Sequence, residues 1–160
     1  MKAKKIILNR AELLRVRKRL RKNGKKVVFT NGCFDLLHGG HIRLFREAKK
    51  HGDVLIVALN TDASVRKLKG ASRPVFPLRE RLEVLEAVED IDLLTCFSEE
   101  TPQKIIAEVL PDVLVKGGDW APDQVVGRKE VEAAGGKVVI VPYLRGHSSS
   151  GLLKKIKKTR

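Results

Sequence analysis

The sequence predicts an α/β fold: a Rossmann-like open parallel sheet of about five strands, with helices on both faces. Apolar runs typical of strands alternate along the chain with segments of helical periodicity. Residues 54–60, VLIVALN, are almost wholly apolar, which is typical of a parallel strand buried on both faces. Such strand–helix–strand units connect by right-handed crossovers, and ligands bind beyond the carboxyl ends of the strands where strand order reverses.

The first half of the chain opens with a helix predicted from residue 11 to about 22. Asn9 can cap this helix, and Asn23-Gly24 ends it. A strand begins at residues 27–29 and is broken by residues 30–32, and helical spacing then runs from Gly40 to about residue 51. After the strand at 54–60 we expect a short helix or ordered loop at 63–68, a loop at 70–77, and a helix that Pro77 opens.

The second half repeats the alternation. A strand at 91–97 precedes a helix for which Thr101-Pro102 supplies the N-cap and first position. A fourth strand at 112–116 is broken by Gly117-Gly118, and one helix from about 123 to 134 ends at Gly135-Gly136. A fifth strand at 138–141 follows, and a last helix starts among residues 148–150.

Length and charge predict a single domain, residues 1–160, with basic ends. The chain has 160 residues and a net charge of +14. Residues 1–26 hold twelve Lys or Arg and one acid, and residues 151–160 hold five and none. We therefore expect a basic helical extension at 1–25, packed as an appendage, and a basic helix at 151–160. With 4% aromatic residues and no nucleic-acid-binding signature, no specific nucleic-acid partner is predicted.

Cysteine and apolar content predict a cytoplasmic location with no membrane association. Cys33 and Cys96 are too far apart and too few for a disulfide framework or a zinc site. No apolar run approaches the roughly 20 residues that a bilayer-spanning helix needs. The run at 6–8 is too short for the core of a signal peptide.

The chemistry of the chain centres on residues 27–41, VVFTNGCFDLLHGGH. His38 and His41 lie three residues apart at a predicted helix start, so they share one face near unpaired N–H groups and the positive end of the helix dipole. Gly39 and Gly40 would let a phosphate approach the backbone. A lone histidine is more often a surface or capping residue, but the pair, its glycines and its position together predict an anion site.

The HGGH tetrapeptide, preceded by TNGCFD, resembles the HxGH signature of nucleotidyltransferases, which join a nucleoside triphosphate to a phosphorylated small molecule and release pyrophosphate. With NTDASVRKLKG, RPV, VLVKGGDW and the serine-rich GHSSSG turn, residues 26–156 are similar to the heptose 1-phosphate adenylyltransferases of that family, which make ADP-heptose. Many such domains are fused to a ribokinase-type sugar kinase. Nothing in this sequence could be that kinase, so we expect a separate kinase to supply the substrate.

The resemblance implies ATP and a heptose 1-phosphate as substrates, direct in-line attack, and Mg²⁺ carried mainly by the ATP phosphates. It implies catalytic roles for His38, His41, Lys67 and Lys69, the lysines lying on a mobile loop where they would otherwise be solvated. Substrate-binding residues would be Arg81, Asn60 and Asp62, although a surface salt bridge is an equal alternative for Arg81. The nucleotide-contacting residues would be Thr30, Asn31, Gly32, Phe34, Asp35, Gly40, Lys116, Gly117, Asp119, Ser148, Ser149 and Ser150.

Two further points stay open in the sequence. Asp35 could reach a metal-bound water or could cap the following turn. Glycerol-phosphate cytidylyltransferases carry an arginine where this chain has Tyr143, with Arg145 nearer the glycine, which weakens a cytidylyl assignment. The alternatives are a cytidylyltransferase for a polyol phosphate such as glycerol 3-phosphate, or a non-catalytic nucleotide- or polyanion-binding protein of this fold. A homodimer is expected by analogy.

Overall fold

The computed structural model describes residues 5–118, 120–142, 151, 153 and 156. Within them lies a five-stranded parallel sheet in the order β3-β2-β1-β4-β5. Its strands are β1 (Val27–Gly32), β2 (Val54–Asn60), β3 (Leu93–Phe97), β4 (Val113–Gly117) and β5 (Lys137–Val141). The chain runs outward from β1 to β3 and then returns to the other side of β1, so strand order reverses between β1 and β4. The predicted fold class is confirmed.

Six α-helices with defined bounds cover both faces of the sheet, and the described residues 151, 153 and 156 are also helical. The six are α1 (Arg10–Lys22), α2 (Gly39–Lys49), α3 (Asp62–Lys69), α4 (Leu78–Glu86), α5 (Gln103–Val109) and α6 (Arg128–Ala133). Phe45 of α2 and Leu85 of α4 belong to the core cluster on one face. Leu13 of α1, Ile105 of α5 and Val131 of α6 belong to the cluster on the other face. The central strands are therefore buried on both sides, as their apolar sequences predict.

Several predicted boundaries are wrong for identifiable reasons. Residues 30–32 continue β1 because they pair with residues 57–59 of β2, and this pairing overrides the turn-forming tendency of their sequence. Helix α5 has Pro102 at its N-cap and no side-chain cap, so Thr101 does not cap it. The helix predicted at 123–134 is divided into a 3₁₀ turn, Pro122–Gln124, and α6. Gly127, with φ 86°, interrupts it.

The N-terminal segment is part of the domain core and not an appendage. The backbone N–H of Ile7 donates to the carbonyl of Leu94 in β3 (2.8 Å), and the N–H of Leu94 donates to the carbonyl of Lys5 (2.8 Å). Asn9 caps α1 as predicted, with its Oδ1 accepting from the N–H of Glu12 at 3.0 Å. Leu13 is fully buried. The predicted extension is therefore wrong in its packing, because amphipathic spacing turns the apolar side of α1 onto the sheet.

No helix among the described residues is long and apolar enough to cross a membrane. The predicted start of the last helix, at 148–150, lies outside the described residues.

We predict that Ile7→Ala lowers the free energy of unfolding by about 2–4 kcal/mol, because Ile7 is 4% exposed and its removal leaves a cavity beside the sheet. Leu8→Ala is the matched control, since Leu8 is 53% exposed and should change stability by less than about 0.5 kcal/mol. Urea unfolding of both variants measures the difference. Equal, small losses would show that the N-terminal segment is not held against the domain.

Candidate active site

The candidate site lies at the carboxyl ends of β1 and β4, where the order of the strands reverses and a crevice opens. Asn31 comes from β1, and Lys116 from β4. Lys116 Nζ donates to Asn31 Oδ1 at 3.2 Å, so the two side chains meet across this crevice. Burial lowers the pKa of Lys116. The structure thus brings together two of the residues predicted to contact a nucleotide.

His38 is the N-cap of α2. Its backbone is extended (φ −148°, ψ 169°), and its Nδ1 accepts a hydrogen bond from the N–H of Gly40 at 3.2 Å. A neutral imidazole that accepts at Nδ1 carries its proton on Nε2. The Gly40 N–H, which we expected to face a phosphate, therefore holds the His38 ring in place.

His41 stacks on His38, with ring centroids 3.9 Å apart and planes 25° from parallel. Phe34 meets it edge-to-face at 5.4 Å. Burial, the neighbouring His38 and the positive charge of Lys69 together lower the pKa of His41 to about 4. The ring is therefore uncharged near neutral pH, and its Nδ1 is buried with no hydrogen-bond partner among the described residues. An uncharged, oriented ring can still donate one hydrogen bond to a phosphate oxygen.

Two glycines predicted to admit a phosphate have a packing reason in this structure. A Cβ on Gly32 would lie 3.0 Å from the ring of Phe34. A Cβ on Gly117 would lie 3.3 Å from Leu44 of α2. Both contacts are tight, so these glycines let Phe34 and α2 approach the strand ends closely. Their contact with a nucleotide stays a prediction.

Asp35 is buried and holds the loop that precedes α4. Its Oδ2 accepts from Arg73 Nε at 2.5 Å, and its Oδ1 accepts from the N–H groups of Val75 (2.8 Å) and Phe76 (3.0 Å). Burial raises the pKa of Asp35, but the two amides and the guanidinium outweigh it, so the net shift is downward. Both carboxylate oxygens are committed, so this geometry favours a structural role over contact with a metal-bound water.

Arg81 lies in α4 with its side chain 1% exposed; it forms a salt bridge with Asp62, but its guanidinium is buried, so the alternative of a surface salt bridge is wrong. Four N–H groups of its guanidinium donate to acceptors within the described residues: the carbonyls of Phe76 (3.1 Å), Cys33 (2.6 Å) and Asn60 (2.9 Å), and Asp62 Oδ1 (2.7 Å). The three predicted substrate-binding residues, Arg81, Asn60 and Asp62, therefore bind one another. Contact of any of them with a substrate stays a prediction.

Lys67 and Lys69 lie on α3, not on the expected loop. Both are exposed. On a helix, residues two apart do not share a face, so the two lysine side chains point in different directions. Lys69 is close enough to His41 to lower the pKa of that ring, which places its charge at the histidine pair.

The remaining predicted residues divide into two groups. Thr30 is fully buried within β1, and its Oγ1 has no hydrogen-bond partner among the described residues. Asp119 and Ser148–Ser150, together with Tyr143 and Arg145, lie outside the described residues. Arg73 was missed as a site-supporting residue, because a lone arginine before a proline carries no local signal for an ion pair with Asp35.

A separate cleft of about 560 Å³ lies at the start of α5 and α6, lined in part by Gln103, Asp123 and Glu130. Helices α5 and α6 pack on the sheet face opposite α2. The cleft therefore does not contain the histidine pair.

We predict that His41 makes stability depend on pH between about 4 and 6.5. The unfolded chain has the ordinary histidine pKa and binds more protons in this window, so the free energy of unfolding falls as the pH drops through it. His41→Gln removes this titration, and its plot of melting temperature against pH should be shallower than that of the wild type. His51→Gln is the control and should keep the wild-type slope. Equal slopes for all three proteins would contradict the lowered pKa.

The chain is similar to known proteins over most of its length. A family model described as cytidylyltransferase-like matches residues 29–157. The chain is 49% identical over 152 residues to the bifunctional protein HldE of Citrobacter koseri, and 51% identical over 140 residues to that of Shigella sonnei. These alignments cover 95% and 88% of this chain but 32% and 29% of the relatives, so the chain spans about a third of their length.

Solved structures share the fold. The lipopolysaccharide core biosynthesis protein of Thermoplasma volcanium is 31% identical with a TM-score of 0.62, covering 78% of this chain and 100% of that one. A pantoate-beta-alanine ligase from Francisella tularensis has a TM-score of 0.65 at 20% identity, covering 89% and 68%, which shows the fold alone. Because the family model matches most of the chain, the chain belongs to the cytidylyltransferase-like family and is a nucleotidyltransferase.

Proposed function

We propose that the chain transfers the AMP group of ATP to a heptose 1-phosphate, giving ADP-heptose and pyrophosphate. An oxygen of the sugar phosphate attacks the α-phosphorus of ATP, and the bond from that phosphorus to the β-phosphate oxygen breaks in line with it. The observation that carries this proposal is the pair of stacked histidines at the start of α2, in which His41 is uncharged near neutral pH. The relation to HldE and to a lipopolysaccharide core biosynthesis protein supports the choice of sugar phosphate.

This reaction needs no strong base, because the attacking phosphate oxygen is already ionised near neutral pH. It needs donors that hold two mutually repelling phosphates in line and stabilise charge at the α-phosphorus and on the leaving pyrophosphate. The side chain of His38 and the neutral ring of His41, stacked on each other, supply hydrogen bonds to the phosphates. Lys69 and Lys116 add positive charge from α3 and β4.

Mg²⁺ would enter as the complex with ATP and neutralise part of the triphosphate charge. Among the described residues, no group of three or more His, Cys, Asp and Glu could hold a metal ion, so the protein offers no dedicated site there. A homodimer, a separate kinase that supplies the sugar phosphate, and a cytoplasmic location belong to the same proposal.

We predict that pyrophosphate release from a panel of nucleoside triphosphates with heptose 1-phosphate is fastest with ATP. The second arm pairs CTP with glycerol 3-phosphate and tests the cytidylyltransferase alternative. Faster release with CTP and glycerol 3-phosphate would show that these are the preferred substrates, and the reaction would still be a nucleotidyl transfer. No pyrophosphate release by the folded protein with any pair would favour a non-catalytic nucleotide-binding role.

We predict that His38→Ala and His41→Ala each lower kcat by roughly 10²–10³-fold, because each removes a donor aimed at charge that develops in the transition state. The dissociation constant for ATP should change much less, and the two effects should not add, since both rings serve the same phosphates. His51→Ala, roughly 15 Å away at the other end of α2, is the control. Folded variants that form ADP-sugar at near wild-type rates would exclude a catalytic role for the pair.

We predict that alanine substitutions of the two lysines of α3 change kcat/KM by different amounts. Lys69→Ala is expected to lower kcat/KM by roughly tenfold or more, about 1.4 kcal/mol, because its charge acts at the histidine pair. Lys67→Ala should stay near wild type, since that side chain leaves the helix in another direction. Both residues are exposed, so melting temperatures should be unchanged. A larger loss in the Lys67 variant would reverse this assignment.

A further inference from the structure

Phe34 has a backbone conformation that non-glycine residues rarely adopt. Its φ is +44°, in the left-handed region, which is sterically unfavourable for a bulky residue. Its side chain is buried, with the ring lying against Gly32 and within 5.2 Å of the ring of Phe45, centroid to centroid. The same ring meets His41 edge-to-face. The strained residue is thus in direct contact with one of the two histidines.

The residues on either side of Phe34 are both anchored by buried groups. The carbonyl of Cys33 accepts from Arg81 Nη1 at 2.6 Å. The carboxylate of Asp35 accepts from Arg73 Nε and from the N–H of Val75. A strained conformation persists only where the surrounding structure holds it. These two anchors, one on each side, supply that restraint.

Arg81 also binds the loop that anchors Asp35. Its Nε donates to the carbonyl of Phe76, in the same loop whose amides bind Asp35. Its Nη2 donates to the carbonyl of Asn60 at the end of β2 and to Asp62 at the start of α3. One buried guanidinium therefore joins the loop before α2, the loop before α4 and the carboxyl end of β2.

We propose that Arg81 is a positioning residue of the transfer reaction: by fixing the Cys33 carbonyl, it holds Phe34 in the left-handed conformation that orients the His41 ring. The expected effect of Arg81 on kcat rests on the proposed function, whereas its expected effect on the orientation of the His41 ring does not. If Arg81 acts through Phe34 and not by contact with substrate, its loss should lower kcat and leave substrate binding nearly unchanged. Misplacement of a catalytic group by about 1 Å can reduce rate roughly 10²-fold.

The test uses Arg81→Lys, because the three N–H donors of an ammonium share one atom and cannot span the four acceptors that the guanidinium joins. Arg79→Lys is the matched control, since Arg79 is an exposed residue of the same helix. The first measurement is an NMR titration of the His41 imidazole in the full chain without substrates. In wild type and the control its pKa should be about 4; in Arg81→Lys it should rise toward 6.5 as the ring loses its enclosure.

The second measurement is steady-state kinetics with ATP and heptose 1-phosphate. We expect Arg81→Lys to lower kcat by roughly 10- to 100-fold, with both KM values within about twofold of wild type. A rise in the KM for the sugar phosphate with an unchanged His41 titration would show that Arg81 contacts substrate and would overturn the proposal. Wild-type kcat and titration in the folded variant would overturn it too.

Phe34→Leu keeps the test decisive if Arg81→Lys does not fold. This variant retains an apolar side chain but lacks the ring edge that faces His41, so it should show the same rise in the His41 pKa and the same fall in kcat. The double variant should lose little more than either single variant, because both act on one ring. An unchanged His41 titration in Phe34→Leu would overturn the proposal. If the wild type shows no turnover, the proposed function is wrong. The His41 titration then tests by itself whether Arg81 positions that ring.

Discussion

The proposed reaction at the crevice depends on one constraint: His41 must be held in a fixed orientation and remain uncharged at the place where we propose that two phosphates meet. Burial is the largest cause of its lowered pKa, and His38 and Lys69 add to it. The positive surroundings that disfavour an imidazolium also favour phosphate binding, so one environment serves both needs. A neutral donor adds little to ground-state attraction, and its hydrogen bond can strengthen as charge develops in the transition state.

Holding that ring requires loops to be as well ordered as the sheet. Beyond the strand ends, carbonyl groups have no neighbouring strand to donate to them, and buried ones must find other partners. Arg81 supplies several donors from one planar group, and Arg73 pairs with Asp35. Removing one member of a buried ion pair typically costs about 3–5 kcal/mol, so these contacts resist loosening. This order is the structural basis for a preorganised site.

The basic N-terminal segment also contains a buried arginine that donates hydrogen bonds to backbone carbonyls. Most of its charged side chains face solvent, while Leu13 enters the core. Arg17 is buried because it donates to the carbonyls of Val109 (3.1 Å) and Leu110 (2.7 Å), where α5 ends and Leu110 takes a left-handed φ of 43°. High positive charge in α1 is therefore compatible with close packing against the sheet, and composition alone cannot distinguish such a helix from a detachable tail.

The sequence by itself determined the features that depend on local pattern. These are the alternation of strands and helices, the Asn9 cap, and the position of HGGH at a strand-to-helix junction, because each depends on neighbouring residues. Only the tertiary structure decided that Asp35 binds Arg73, 38 positions away, and that Arg81 binds the carbonyl of Cys33, 48 positions away. It also decided that Lys67 and Lys69 lie on a helix and diverge, and that residues 30–32 extend β1. Such outcomes depend on groups brought together by the sheet, and no local pattern specifies which distant partner a buried charge will find.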